Sequence, residues 1–440
     1  MTRITARAAA PGLHPDRVTE SRVGTVRGTA LFVAAIVGPG ILTLPALAAG
    51  EAGPASLVTL GVLLTVSAPI AFTFAALNAA APAAKGVAGY ATVAFGPLAG
   101  RLVSAWFRSG VPIGVPALGL IGGGYVAEAT GGGKATAVTV AAGICAVAVV
   151  ASVLHRPGSG VLTLLLSAAL TVLIVGTAVV ALPHGHTASL RPFAPGGLAA
   201  VAASALVLTW VLTGWEAVTN FTDVLRDPRR TLPRVTGATL VVVALLYAAV
   251  AVPEILVLGP TAGGTQAPVA AMLRIATGSA GAVLAAVIAV VIATGNSIAY
   301  VGSLAEMGTT TRPTRGARAA RTGRASALVV PVIIIAGGLA AAALTSVSTG
   351  ELVSVCAGSQ VPVYVAGLAA GIKVLPTWSR SWWSSVVATA AVALLLVPAG
   401  RYLLIPAVVA LGVVARYAYQ CRSPGVRTAG PPRSRAEQDA

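Results

Sequence analysis

Most of this chain falls into twelve long apolar blocks, and this pattern restricts its fold more than any other feature of the sequence. Each block is long enough to cross the hydrocarbon core of a bilayer, which is roughly 30 Å thick. Only 9% of the residues are charged, whereas a soluble domain carries about a quarter. We therefore predict an all-α membrane protein. The predicted spans cover residues 28–50, 55–79, 99–127, 135–154, 159–182, 197–224, 235–258, 279–308, 327–346, 350–373, 382–398 and 401–418.

The basic residues are distributed unevenly over the loops between these spans. The formal net charge of +17 would point to a nucleic-acid partner in a soluble protein. Here, 24 of the 29 Lys and Arg residues lie in the tails and loops on one side of the predicted membrane. Because cytoplasmic loops carry the excess of basic residues, we predict cytoplasmic N- and C-termini and no nucleic-acid partner. The abundance of Ala, Gly, Pro and Arg is typical of GC-rich bacterial genomes, so we expect a bacterial plasma membrane protein.

The first span is interrupted by two glycines around a proline, at Gly38-Pro39-Gly40-Ile41. Glycine and proline are the residues that hold a helix least well, yet apolar sequence continues on both sides. A helix broken inside a membrane leaves backbone N–H and C=O groups that lipid cannot satisfy. These groups must line a cavity or contact a ligand, so the break predicts a binding site.

The sixth span has a second irregularity, because Gly214 lies in mid-span and Glu216 is an acid within apolar sequence. Inserting a charged residue at such a depth costs roughly 2.5–3.5 kcal/mol, and intramembrane acids usually face a cavity. Spans 1 and 6 enter the membrane from opposite sides, because they are five spans apart. Interrupted helices at corresponding places in two halves indicate a transporter site built on inverted repeats. The alternative is two unrelated kinks, with Glu216 paired to a neighbour.

A zwitterionic amino acid matches the two kinds of helix end that such breaks create. The N-terminus of a half-helix offers N–H groups to a carboxylate, and its C-terminus offers carbonyls to an ammonium or a cation. Trp210 and Trp215 flank the second break and could cover a substrate. Ordinary packing in the core is the alternative for both rings.

Five stretches match motifs of a known transporter family. They are Gly38 to Ile41 in span 1, Pro82 to Gly96 after span 2, Val111 to Ala117 in span 3, Trp210 to Glu216 in span 6, and Arg226 to Arg234 after span 6. On these residues the chain resembles the amino acid–polyamine–organocation (APC) superfamily of permeases. The span 3 stretch, Val111-Pro112-Ile113-Gly114-Val115-Pro116-Ala117, resembles the bacterial exporters of methionine and branched-chain amino acids.

The resemblance implies a LeuT-type fold of 12 transmembrane helices with helices 1 and 6 broken. Spans 1–5, residues 28–182, and spans 6–10, residues 197–373, would form two inverted repeats. Spans 11 and 12, residues 382–418, would follow them. Independently of the resemblance, the distribution of basic residues predicts a cytoplasmic tail over residues 1–27, and the content of Pro, Arg and Gly predicts a disordered cytoplasmic tail over residues 419–440.

The resemblance also implies that the two breaks hold the backbone of an amino acid. By motif position, Trp210 would be a gating aromatic and Glu216 a proton-sensitive gate residue. Three residues depart from the usual family pattern, namely Arg108, Asp227 and Glu306. The candidate substrate-binding residues are Gly38, Pro39, Gly40, Ile41, Trp210, Thr213, Gly214 and Trp215.

The coupling ion is open at the level of sequence. Span 5 contains no lysine, so an ammonium cannot replace sodium there. Span 8 offers Thr294, Asn296 and Ser297, and Thr294 and Ser297 could form a cation site with carbonyls of span 1. Small hydroxyls in helices more often bond their own backbone. We therefore prefer proton antiport through Glu216.

Signals of other chemistry are weak. Gly131-Gly132-Gly133-Lys134 lacks the following Ser or Thr and the earlier Gly of a phosphate loop, and His184 and His186 have no acids or thiols nearby in sequence. We therefore expect no enzyme activity, cofactor or metal. The prediction is a secondary transporter that exports small apolar amino acids by proton-coupled alternating access. An importer using proton or sodium symport is the alternative, and a membrane-embedded enzyme or receptor is a remote one.

Overall fold

The structure, a computed structural model, describes residues 23–84, 86–154, 160–216, 225, 228–309 and 317–422. Within these ranges the chain is almost entirely helical, and the β structure is limited to one parallel bridge between Val23 and Leu225. The α-helices are α1 (Thr25–Ile36), α2 (Leu44–Ala52), α3 (Ser56–Ala80), α4 (Gly86–Phe95), α5 (Pro97–Thr130), α6 (Lys134–Leu154), α7 (Gly160–Ala181), α8 (Gly197–Leu208), α9 (Pro228–Pro253), α10 (Pro268–Thr277), α11 (Ser279–Thr309), α12 (Ala317–Leu344), α13 (Thr349–Val374), α14 (Arg380–Leu394), α15 (Leu396–Ala399) and α16 (Leu404–Arg422).

Nine helical segments of the described chain are long and apolar enough to cross a membrane. Leu44–Ala80 contains the second half of predicted span 1 together with span 2, and Arg380–Arg422 contains predicted spans 11 and 12. The count of twelve separate spans, and the domain limits drawn from it, stay predictions. The nine segments are Leu44–Ala80, Pro97–Thr130, Lys134–Leu154, Leu164–His184, Arg230–Gly264, Ser279–Met307, Arg321–Leu344, Thr349–Val374 and Arg380–Arg422.

The described residues also form four shorter apolar helices: Thr25–Ile36, Gly86–Phe95, Gly197–Leu212 and Pro268–Thr277. Two of them end at the predicted breaks in spans 1 and 6. The continuation of span 6 through residues 217–224 lies outside the described residues, as do the terminal tails before residue 23 and after residue 422.

Helix α5 is the centre of the bundle and packs against α6, α11 and α13. Its buried face is rich in glycine, which allows close approach because TM helices associate through small residues. A Cβ on Gly119 would lie 3.2 Å from the Cα of Ala141, and a Cβ on Gly123 would collide with the backbone carbonyl of Ala137. The sequence of α5 therefore sets the distance between the central helices.

The remaining helices pack around α5 in related pairs. Helix α1 packs against α9, and α8 packs against α3. The short helix α4 packs against α5 and α13, and the short helix α10 packs against α11 and α7. Helix α2 lies against α8, which brings the elements that flank the two breaks together.

Gly123→Ala should lower the free energy of unfolding by about 1–3 kcal/mol, because the added methyl group overpacks the α5–α6 contact. Gly143→Ala is the matched control, since Gly143 on α6 faces open space. It should be neutral or stabilising by up to about 1 kcal/mol. Thermal unfolding of both variants in detergent tests this, and equal midpoints would contradict it.

Candidate functional site

The first helix break lies where the sequence predicts it. Helix α1 ends at Ile36, and Val37 and Gly38 have extended backbone conformations. A 3-10 turn follows over Pro39–Leu42, and α2 begins at Leu44. The helix is therefore interrupted between Ile36 and Leu44, within apolar sequence.

This break leaves backbone groups without partners. The N–H of Ile41 donates to the carbonyl of Gly38 at 3.3 Å, and the N–H of Thr43 donates to that of Gly40 at 3.0 Å. Among the described residues, no group accepts a hydrogen bond from the N–H of Gly38 or Gly40. The amide oxygen of Asn296 on α11 abuts Gly38, since a Cβ there would lie 3.0 Å from it. Free donors next to the start of α2 form a surface suited to an anion.

The second break meets the first. Helix α8 ends at Leu208, a 3-10 turn covers Thr209–Leu212, and Gly214 has φ +99°. A Cβ on Gly214 would also lie 3.2 Å from the Cα of Ile36, the last residue of α1. Both the left-handed backbone conformation and this close approach require glycine.

Glu216 folds back onto the second break. Its Oε2 accepts a hydrogen bond from the N–H of Gly214 at 2.9 Å and another from the hydroxyl of Tyr364 on α13. The N–H of Gly214 also lies 3.2 Å from that hydroxyl oxygen. The acid, the broken backbone and a third helix are thus joined by one set of hydrogen bonds.

Trp210 lies across the junction of the two breaks and is buried. Its ring is 3.6 Å from the position of a Cβ on Gly40, in the first break, and 3.4 Å from that of a Cβ on Gly114, on α5. Glycine at both positions leaves space for the indole. Among the described residues, its Nε1 has no hydrogen-bond partner.

Residues 23–310 match the family model for amino acid permeases. The chain belongs to the amino acid permease family of the APC superfamily. This confirms the resemblance drawn from the five motifs. The permease is a multi-pass amino acid transporter and not an enzyme.

Two curated relatives and one solved structure are similar to this permease. The uncharacterized amino acid permease YecA of Bacillus subtilis (strain 168) is 27% identical over 395 residues, which is 88% of this chain and 92% of that protein. The L-methionine/branched-chain amino acid exporter YjeH of Escherichia coli (strain K12) is 29% identical over 230 residues, covering 52% of this chain and 54% of YjeH. The crystal structure of MhsT in complex with L-phenylalanine superposes with a TM-score of 0.55 at 14% identity, covering 84% of this chain and 98% of MhsT. The permease therefore has the LeuT-type fold.

Two predicted binding residues of the permease have local packing roles in this structure. The hydroxyl of Thr213 donates to the carbonyl of Trp210 at 2.8 Å and so closes its own turn. Trp215 is fully buried, and its Nε1 has no partner among the described residues. Contact of either side chain with a substrate stays a prediction.

The two predicted cation ligands of α11 differ in their surroundings. The hydroxyl of Thr294 donates to the carbonyl of Val290 at 2.7 Å, within its own helix. The hydroxyl of Ser297 is buried and has no partner among the described residues. Asn296, between them, is the residue that contacts the first break.

Sequence reasoning missed two tyrosines of the site. Tyr364 bonds Glu216, and the fully buried Tyr125 on α5 donates from its hydroxyl to the carbonyl of Leu42 at 2.7 Å. The N–H of Val269 on α10 donates to the same hydroxyl at 3.3 Å. For both tyrosines, the signal available in the sequence was the phenol hydroxyl, a single polar group within an apolar span.

Gly214→Ala should reduce amino acid exchange by about tenfold or more. A methyl group there forces a residue with a side chain into a left-handed conformation, at about 1–3 kcal/mol, and presses on the end of α1. Gly237→Ala is the control, because Gly237 on α9 has open space around it. Counterflow of a panel of twenty amino acids in proteoliposomes is the assay, and wild-type exchange by the Gly214→Ala variant would refute the assignment.

Proposed function

We propose that this permease exports small, mainly apolar amino acids across a bacterial plasma membrane in exchange for protons, by alternating access. The observation that carries the proposal is the meeting of two helix breaks, at Gly38–Gly40 and Gly214, in the middle of the bundle. Transporters with inverted repeats bind substrate at such a junction and move one repeat against the other.

The packing of the helices supports the arrangement of two five-helix inverted repeats followed by two further helices. In this arrangement α1, α3, α5 and α7 of the first repeat correspond to α8, α9, α11 and α13 of the second. Exchanging the two repeats therefore turns the α1–α9 contact into the α8–α3 contact. The same exchange turns the α5–α13 contact into α11–α7. It also turns the contacts of α4, with α5 and α13, into those of α10, with α11 and α7. Two copies of one unit would produce these matched pairs.

The ends of the half-helices support a zwitterionic substrate. The N–H groups of Gly38 and Gly40, next to the N-terminus of α2, suit a carboxylate. The C-termini of α1, at Ile36, and α8, at Leu208, carry partial negative charge and suit an ammonium. A molecule carrying both groups a few ångströms apart satisfies both kinds of end at once.

The residues around Trp210 support an apolar substrate side chain. The indole contacts Gly40 and Gly114, and the sulfur of Cys356 lies next to Gly114 as well. A charged substrate side chain would find no ionic partner among these groups and would lose its hydration. The similarity to YjeH, named as an exporter of methionine and branched-chain amino acids, supports the same substrate class and direction.

The bonds of Glu216 support a proton-coupled gate. An ionised carboxylate only accepts hydrogen bonds, and Oε2 of Glu216 receives them from both Gly214 and Tyr364. A proton on Oε2 would add a donor where two donors already point. Protonation would therefore disturb the contact between the second break and α13, which links proton uptake to movement of the gate.

Sodium-coupled import is the second candidate. The buried hydroxyl of Ser297, which has no partner among the described residues, and the contact of Asn296 with Gly38 favour a cation site between α11 and the first break. Thr294 could add its hydroxyl oxygen. Transport that requires sodium and ignores pH would select this candidate.

Glu216→Gln should abolish the pH dependence of net amino acid flux while leaving exchange at equal pH active. A one-proton step changes the flux by up to about tenfold per pH unit, and glutamine cannot take part in it. Flux in proteoliposomes at stepped pH is the measurement, with Glu51→Gln, an exposed acid on α2, as the control. Full pH dependence in the Glu216→Gln variant would exclude the proton-gate role.

Cys421 provides a test of the proposed orientation with both termini cytoplasmic. It is exposed near the end of α16, whereas Cys145 and Cys356 are buried. A membrane-impermeant maleimide should therefore label inside-out vesicles and leave intact cells unlabelled. Cys421→Ser should remove the signal from both preparations, and labelling of intact cells at Cys421 would reverse the orientation.

A further inference from the structure

Glu254 is a buried acid that has no role in the transport cycle proposed above. It begins a π-helical turn, Glu254–Leu258, directly after α9. Its exposed fraction is 0%, and neither carboxylate oxygen has a hydrogen-bond partner among the described residues. Buried polar groups are nearly always bonded, and π-helical turns often mark functional positions. This acid therefore requires an explanation beyond packing.

A tight apolar closure lies next to Glu254. Its neighbour Ile255 packs with Ala49 of α2 and Ala262 in a small buried cluster. Ala262 belongs to the 3-10 turn Gly259–Gly264, where the backbone of Gly263 presses on Gly50 of α2. A Cβ on Gly50 would lie 2.8 Å from the Cα of Gly263, so the two segments are in direct backbone contact. We call this contact the α2 closure. It lies at the far end of α2 from the first break, on the side of the predicted membrane whose loops carry few Lys and Arg residues, which we call the arginine-poor face.

No described cation neutralises Glu254. The buried phenol of Tyr125 lies within electrostatic range of this acid and carries no charge that could balance it. The other titratable groups described on the elements packed against the turn are Glu51 on α2, Tyr247, Arg230 and Arg234 on α9, His184 and His186 after α7, and Arg274 on α10. Lys134 on α6 lines a cavity together with Leu258 of the turn, and its ammonium donates to the carbonyl of Thr345.

Each of these groups is unsuited to balance the acid. Glu51 is itself acidic, Tyr247 is neutral, and the two histidines are exposed. Arg274 forms an ion pair with Glu128 on α5. The two arginines of α9 lie in its first turns, at the opposite end of the helix from Glu254.

An ionised carboxylate in these surroundings would be unpaired and shielded from bulk water, which is far more costly than a neutral carboxyl. With the α2 closure intact, Glu254 therefore holds a proton. Separation of α2 from the turn would admit water, and the acid could then ionise. Closing of this face and protonation of Glu254 are therefore thermodynamically coupled.

We propose that Glu254 is a second proton-carrying carboxyl of the transport cycle, protonated when the α2 closure is intact and ionised when that face opens. This proposal rests on the proposed proton-coupled function and extends it to the arginine-poor face. Tyr125 connects the first break to α10, because its hydroxyl donates to the carbonyl of Leu42 and accepts from the N–H of Val269, and α10 packs against the turn of Glu254. Substrate at the break and a proton at Glu254 would then bias the same movement of α2.

Paired cysteine reporters can measure the α2 closure directly. In a Cys421→Ser background, Ala262→Cys places a thiol in the buried cluster, and Thr261→Cys places one on the exposed neighbouring residue. The measurement is the alkylation rate of the Ala262→Cys variant divided by that of the Thr261→Cys variant, with an impermeant reagent. This ratio cancels the pH dependence of thiol chemistry. With Glu254 present, the ratio should rise with pH, by up to about tenfold per pH unit while the proton is released.

Glu254→Gln should give a low ratio that does not change between pH 6 and pH 8, because a neutral amide cannot ionise. Glu254→Leu should do the same, and it keeps the test valid if the glutamine variant fails to fold. Glu51→Gln should behave as the parent does. A parent ratio that is flat with pH, or a pH-dependent ratio in the Glu254→Gln or Glu254→Leu variant, would overturn the proposal.

These measurements need no amino acid and no pH gradient, so they separate the two proposals. If flux proves independent of protons while the ratio still follows Glu254, the proposed function and the role of Glu254 in the transport cycle fail, and only the pH-dependent opening of the α2 closure stands. If flux is proton-coupled and the ratio is flat, the role of Glu254 fails and the proposed function stands.

Discussion

The architecture of this permease depends on the cost of an unpaired backbone group in a membrane. Lipid offers no hydrogen-bond partners, so every span must satisfy its own N–H and C=O groups as a helix. The described chain obeys this over nearly its whole length and departs from it where α1 and α8 end in apolar sequence. Those two departures meet at Gly214 and Ile36. The cost is acceptable there if a ligand completes the hydrogen bonds, which is why we propose that substrate binds at the breaks.

Glycine makes the junction possible in two ways. At Gly214 it permits a left-handed conformation and contact with the end of α1. On α5 it brings α6 and α11 close to the centre and leaves space for Trp210 over Gly114. The same principle applies at the α2 closure, where the backbones of Gly50 and Gly263 are in direct contact. The half-helices can therefore approach closely without side chains filling the space between them.

Local sequence was sufficient to locate the breaks. Gly38, Pro39 and Gly40 oppose a helix whatever surrounds them, and Glu216 is conspicuous in an apolar span. The family motifs then led to the LeuT-type fold, which the similarity to MhsT supports. The partners of these residues could not be predicted, because Tyr364 lies 148 positions from Glu216 and its contact depends on how α13 packs.

Glu254 escaped sequence analysis for a related reason. It follows Pro253 near the end of a predicted span, where an acid usually indicates that the chain leaves the membrane. Its burial arises from the π-helical turn and from the 3-10 turn that folds over α2, and neither has a distinct periodicity. Asn296 could not be assigned from sequence either, because only its contact with Gly38 in the folded structure connects this polar residue of α11 with the first break.

We propose that backbone groups at the two breaks recognise both charged ends of an amino acid. Competition binding to the purified permease measures this recognition, with leucine compared against 3-methylbutylamine and 4-methylpentanoate, which lack the carboxylate and the ammonium respectively. Because hydrogen bonds to charged groups contribute about 1.5–3 kcal/mol each, losing either end should weaken binding on the order of 100-fold. Equal affinity for leucine and either analogue would contradict the claim.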